Sequence, residues 1–133
     1  MTAEPVYLDS SALVKLVAPE PESGALLAYL AGHARQVTSR LAQVEVARAS
    51  ARAGLSDVGR VEAVLAQVSV SEVDVEIASL AARVRPITLR TLDAIHLATA
   101  LQLGGMLAAL VTYDARQAQA GEALGLKVVA PGR

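Results

Sequence analysis

Five short strand-like runs recur along this chain, and the stretches between them are too long for hairpin turns. The runs are Val6 to Asp9, Gln36 to Thr38, Val68 to Val70, Leu107 to Val111 and Leu126 to Val129. The intervening stretches carry helical spacing instead. Strands joined through helices must cross over, and crossovers leave the strands parallel. The pattern predicts an α/β fold of βαβ units on a mainly parallel five-stranded sheet.

The helices have legible ends. Ser10 to Val17 follows the first strand and stops at Pro19; a second runs from Pro21 to about Ala31, closed by Gly32. Ser39 can cap a third, with Leu41, Val44, Ala47 and Ala51 as its apolar stripe and Gly54 at its end. Ser56-Asp57 open a fourth, carrying Val58, Val61, Val64 and Leu65. Val73 to Val84 reads as helix, ended by Pro86. Thr91 opens another that Gly104-Gly105 terminates, and Asp114 begins the last, which Gly125 caps.

At 133 residues the chain is expected to form one domain over residues 1–133, and 53% hydrophobic residues argue against disorder. There is no Cys, so no disulfide and no thiolate metal site. Met1 to Pro5 lack a basic segment leading into an apolar run, and nothing approaches the roughly 18 unbroken apolar residues of a membrane span. A cytoplasmic protein without membrane contact is expected. A net charge of −1 argues against a strong non-specific hold on nucleic acid, and 2% aromatics leave few rings for stacking bases.

The topology brings acids together. Asp9 ends the first strand and Asp114 follows the fourth, so both stand at carboxyl ends, where open α/β sheets bind ligands. The helix from Thr91 feeds the amino end of the fourth strand. Its own start, with Asp93, therefore lies at the carboxyl edge. Glu45 sits about 9 Å into the helix after the second strand, and side chains lean toward a helix's N-terminus. Glu45 lies between Val44 and Val46, and Asp93 between Leu92 and Ala94. Carboxylates in apolar surroundings need a partner or a cation, and several together repel unless a cation joins them. Hard oxygen donors suit Mg²⁺ or Mn²⁺, which can activate water against a phosphodiester.

Each acid also has a plainer reading: Asp9 and Asp114 as helix caps, Asp93 as a first-turn acid favoured by the helix dipole, Glu45 as a solvated helix residue. Glu20, Glu22, Glu62, Glu72, Asp74, Glu76 and Glu122 have no such placement and read as surface charge. His96, one turn after Asp93, reads first as a packed or hydrogen-bonded structural histidine, with a proton shuttle as the alternative. Arg90 serves equally as a salt-bridge partner or as a contact to RNA phosphate. Arg40, Arg48 and Lys15 read first as solvated helix residues, with contact to RNA as the alternative.

The segments Leu8 to Lys15, Leu41 to Arg48, Leu89 to Ala100 and Val111 to Asp114 resemble the PIN-domain ribonucleases, and more narrowly the VapC toxins of bacterial type II toxin–antitoxin pairs. The resemblance spans essentially the whole chain and shows no departure at the acidic positions. It implies a three-layer α/β/α fold and a Mg²⁺- or Mn²⁺-dependent endoribonuclease. Asp9, Glu45, Asp93 and Asp114 would form its acidic site, with Asp9 and Asp93 as leading metal ligands. Thr112 matches a position that often carries a small hydroxyl, and Ser10 and Arg90 are supporting candidates. The implied partners are an RNA substrate, a cognate antitoxin and a second copy in a homodimer. The faces at Leu26, Leu27, Tyr29, Leu30 and at Val61, Val64, Leu65 suggest a clip for an antitoxin helix, against ordinary core packing. Two other readings remain: a non-catalytic binding module of the same fold, and a phospho-acceptor domain centred on Asp9. The latter lacks the second acid that such domains place nearby.

Overall fold

Alternate residues of the first strand, Val6–Leu8 (β1), divide the core in two. The computed structural model describes residues 2–55 and 58–133. Val6 and Leu8 join one apolar cluster and Tyr7 the other, because neighbouring strand residues point to opposite faces. Helices Ser10–Val17 (α1), Ser23–Ala31 (α2), Arg40–Arg52 (α3) and Val58–Leu65 (α4) cover the Val6/Leu8 face. Helices Val75–Ala81 (α5), Thr91–Gln102 (α6) and Ala115–Ala123 (α7) cover the Tyr7 face. The expected three-layer α/β/α architecture is present.

The remaining strands are Gln36–Ser39 (β2), Ser69–Ser71 (β3), Ala109–Val111 (β4) and Val128–Val129 (β5). Their order is β3-β2-β1-β4-β5, and every pairing is parallel, where the sequence indicated a mainly parallel sheet. β1 is central. Leu8 is in register with Val111, so the next residues, Asp9 and Thr112, emerge side by side from the carboxyl edge. Gly121 lets α7 lie close on the sheet: a Cβ there would stand 2.9 Å from Leu110 Cδ2 and 3.2 Å from Val128 Cγ2.

Several expectations need correction. Helix α5 is shorter than Val73 to Val84, because Asp74 caps it through Ile77 N and leaves Val73 and Val75 exposed. The buried stripe of α3 is Ala42, Val46 and Ser50, while Val44, Ala47 and Ala51 face out. Small Ala42 lets α3 pack on α1, and this turns the helix away from the predicted face. α2 starts at Ser23, with Pro21 in the turn before it. The helix start expected at Ser56-Asp57 lies outside the described residues.

Lys15 is not solvated. It is only 5% exposed, with Nζ 3.0 Å from Glu20 Oε2, 2.9 Å from Glu22 Oε1 and 4.6 Å from the centre of the Tyr113 ring. Arg133 Nε adds a contact of 2.8 Å to Glu22 Oε2. Glu20 and Glu22 are thus paired rather than free surface charge. The Lys15 and Arg133 hydrogen bonds hold the Glu22 carboxyl down at about 2, from an ordinary 4.5. A carboxyl lowered by folding stabilises the fold above its unfolded value, and that contribution is lost as pH falls through its folded value. We expect wild-type stability to decline between about pH 4.5 and about pH 2 as this pairing is titrated away. Lys15→Met will flatten that limb in urea melts followed by circular dichroism, and an unchanged slope would remove Glu22 as its source.

Candidate active site

The carboxyl edge is built where strands turn into helices. Asp9 has extended backbone and caps α1, its Oδ1 accepting from Ala12 N at 3.1 Å and from Ser11 Oγ at 2.6 Å. Its Oδ2 accepts from the Thr112 hydroxyl. Asp114 caps α7, with Oδ1 accepting from Arg116 N at 2.9 Å and Gln117 N at 3.1 Å. Thr112 Oγ1 also accepts from Asp114 N at 3.1 Å, and Ser11 Oγ from Tyr113 N at 2.9 Å. Two hydroxyls therefore stitch the end of β1 to the end of β4. The cap readings of Asp9 and Asp114 hold as local geometry. Capping engages only part of each carboxylate, which has about four lone-pair sites.

Asp93 lies in the first turn of α6, as expected. Arg90 bridges it to Asp114, with Nε 2.9 Å from Asp93 Oδ2 and a terminal nitrogen 3.2 Å from Asp114 Oδ2. Of its two readings, Arg90 takes the salt bridge. Glu45 reaches the same place from the second turn of α3, which Ser39 starts by accepting from Leu41 N. Glu45 Oε1 accepts from Ser10 Oγ at 2.6 Å and lies 2.6 Å from His96 Nε2. Arg90 also stands within electrostatic range of Glu45, and His96 within range of Asp9. All four predicted acids stand along one edge: Arg90 links Asp93 to Asp114, and His96 contacts Glu45.

Burial separates them. Asp9 is 4% exposed, against 30% for the Asp114 side chain. Burial pushes the Asp9 carboxyl above its ordinary range, and the hydrogen bonds from Ser11, Thr112 and Ala12 offset only part of this. Burial also acts to raise Glu45, but His96 and Ser10 outweigh it and leave that carboxyl lowered. Asp9 is thus a buried acid whose negative charge is only partly compensated by its own hydrogen bonds.

Among the described residues, no three His, Asp or Glu side chains converge tightly enough to enclose an ion. The donor set nevertheless suits a hard divalent cation. It is made of oxygens, and Mg²⁺ is commonly held by one or two carboxylates with waters filling the rest. Asp9 keeps a lone-pair site beyond its three hydrogen bonds, and Glu45 Oε2 accepts from no described residue.

Other features differ from the sequence reading. The flanks of Glu45 and Asp93 are not uniformly apolar interior: Val46 is buried, while Val44 is 57% and Leu92 44% exposed. Arg40 pairs with Glu72 at 2.6 Å. Leu26, Leu30 and Val61 pack in the core, as the ordinary reading of their helices held. Leu27 is exposed, and a groove of about 500 Å³ runs between α2 and α4, lined by Leu16, Leu27, Leu30 and Val64 among others. Ser11 and Tyr7 were not singled out as site residues. Tyr7 carried a signal: it alternates with Val6 and Leu8 and so had to face α6.

The PIN domain family model matches residues 6–123. Ribonuclease VapC46 of Mycobacterium tuberculosis is 48% identical over 126 residues, covering 95% of this chain and 97% of the relative. The crystal structure of Mycobacterium tuberculosis VapC20, described as a sarcin-ricin loop cleaving toxin, superposes with a TM-score of 0.72 at 18% identity, covering 95% of this chain and 99% of that one. A toxin–antitoxin complex from Klebsiella pneumoniae gives 0.66 at 23% identity over 84% of this chain and 88% of that one.

Proposed function

This chain belongs to the PIN domain family, and on that footing we propose that it is a Mg²⁺- or Mn²⁺-dependent endoribonuclease toxin neutralised by a cognate antitoxin. The observation that carries the reading is the meeting of Asp9, Glu45, Asp93 and Asp114 along one sheet edge around a buried, under-compensated Asp9. The relative named a ribonuclease, 48% identical over nearly its whole length, supports the activity.

Asp9 and Asp93 would be the leading ligands, with Glu45 and Asp114 completing the site. The ion, when bound, supplies an activated water and charge stabilisation at the phosphodiester. The chain's own residues do the positioning. Ser11 and Thr112 fix the Asp9 carboxylate in place from both of its oxygens. Ser10 and His96 hold Glu45 by one oxygen. Arg90 engages one oxygen each of Asp93 and Asp114, which orients the two acids, and its guanidinium stands at the edge where an RNA phosphate would lie. Cleavage would leave a 5′-phosphate and a 3′-hydroxyl. No helix among the described residues is long and apolar enough to cross a membrane, which accords with cytoplasmic action. The groove between α2 and α4 would receive an antitoxin segment, and the working unit would be a homodimer.

The test is metal dependence with mapped ends. Purified protein stripped with EDTA should cut no cellular RNA, and added Mn²⁺ or Mg²⁺ should restore cuts bearing 5′-phosphates at one or a few sites. Mn²⁺ should also raise the melting temperature. Cleavage that survives EDTA would remove the metal. A chain that neither binds Mn²⁺ nor cuts RNA would be a binding module.

A further inference from the structure

A row of buried polar groups leads away from the acidic edge into the opposite core. Tyr7 is fully buried in the centre of β1, and His96 is 1% exposed in α6. Tyr7 Oη lies 2.6 Å from His96 Nδ1, and the rings meet edge to face at 5.7 Å. On its other side His96 Nε2 lies 2.6 Å from Glu45 Oε1 and 3.2 Å from Ser10 Oγ. Ser10 donates its own proton to the same Glu45 oxygen at 2.6 Å.

The proton assignment follows from the partners. An ionised carboxylate only accepts, so His96 Nε2 carries a hydrogen. In the tautomer protonated on Nε2 alone, Nδ1 accepts from the Tyr7 hydroxyl. An apolar pair would fill this volume without leaving polar groups to satisfy. Packing alone therefore does not call for a phenol and an imidazole here. What the pair achieves is to tie β1, α3 and α6 to one carboxylate oxygen. Glu is rotamer-rich; with Oε1 held by two donors, its freedom is removed and Oε2 alone is left uncommitted.

We infer that Tyr7 and His96 form a positioning relay that holds Glu45 for the cation: Tyr7 orients the imidazole, and the imidazole orients the carboxylate. His96 is a positioning residue in this arrangement and does not itself touch the ion. The inference rests on the proposed reading of Glu45 as a member of the acidic metal site.

Variants at these positions separate the two ideas. A Gln amide can stand in for Nε2, whereas Asn reaches only as far as Nδ1. The full-length apo protein is titrated with Mn²⁺ by calorimetry as wild type, Glu45→Gln, His96→Gln, His96→Asn and Tyr7→Phe, with metal-free melting curves alongside. His96→Gln should bind Mn²⁺ within a few-fold of wild type. His96→Asn should bind about 10–100-fold more weakly, the range for losing an outer-sphere partner, and Tyr7→Phe should weaken in the same direction. Equal Mn²⁺ affinity of the Gln and Asn variants overturns the relay, and so does a Tyr7→Phe protein that binds like wild type. Failure of wild type to bind Mn²⁺, or a Glu45→Gln protein with unchanged affinity, overturns the metal-site reading instead. Nitrogen-15 NMR of the metal-free wild type gives a readout that needs no variant to fold. A proton on His96 Nε2 is expected, and a bare Nε2 would overturn the relay.

Discussion

Asp9→Asn will melt at a higher temperature than the wild-type chain in the absence of metal, and will not cut RNA. The reason is the position of Asp9 at the meeting of β1 and α1, 4% exposed, with a carboxyl that burial raises above its ordinary range. A carboxyl whose folded value is raised favours folding below its unfolded value, and that contribution disappears as pH rises through the folded value. The metal-free fold therefore favours the protonated carboxyl over the ionised one more than the unfolded chain does. Asparagine keeps an acceptor for Ser11 and for Ala12 N, turns its amide N–H toward the Thr112 hydroxyl oxygen that in the wild type donates to Asp9, and removes the charge. The rise should be about 4 °C for each kcal/mol relieved in a chain of this size. Adding Mn²⁺ should reverse the order, lifting wild type and leaving the variant in place. On the proposed reading Asp9 holds the ion directly, so the loss of cleavage should exceed the roughly 10–100-fold of an outer-sphere change. A metal-free variant that melts below wild type would contradict the electrostatic account. Retained turnover would contradict the site.

Leu97→Ala should be a strongly damaging truncation of the core. Leu97 is fully buried in α6, in the cluster that packs against Tyr7 and Leu110. Removing its branched end costs about 2–5 kcal/mol, depending on how far the neighbours collapse. Domains hold only about 5–15 kcal/mol in total. Gly121 lies beside it, since a Cβ there would stand 3.7 Å from Leu97 Cδ2, so α7 loses a contact as well. The urea midpoint should fall with the slope unchanged. Cleavage should then fall only where the unfolded population grows. A loss below about 1 kcal/mol would mean that this layer repacks freely, against the usual behaviour of dense interiors.

The sequence revealed most where one residue performs two local tasks. Asp9 directly follows β1 and Asp114 follows β4 after two residues, and each caps the next helix, so their types and positions are marked twice. Asp93 was legible through topology, because the direction of α6 follows from the strand it feeds. Glu45 was placed correctly, but through an argument about flanking residues that fails in three dimensions. Val44 and Val46 are neighbours in the chain and face opposite ways on α3. Lys15 was misread because its partners, Glu20 and Glu22, lie beyond a turn whose path no local rule fixes. The bond from His96 to Tyr7 joins residues far apart in sequence, and periodicity could report only that both face inward. Helix ends and strand alternation are local properties; side-chain pairing across elements is not.

Because β1 lies at the centre of the sheet, the order of synthesis governs when the acidic edge can exist. The strand beside it, β4, begins at Ala109, and the hydroxyl that grips Asp9 belongs to Thr112. The cap of α7, and the second acid that Arg90 bridges, come later still at Asp114. The strands are joined by crossovers rather than hairpins, and of the two neighbours of β1 only β2 comes early in the chain. A growing polypeptide that has passed Asp9, Glu45 and Asp93 still has no neighbour for one side of β1 and nothing to lock the first acid in place. The acidic edge is therefore incomplete in any stretch of the chain that stops short of Asp114.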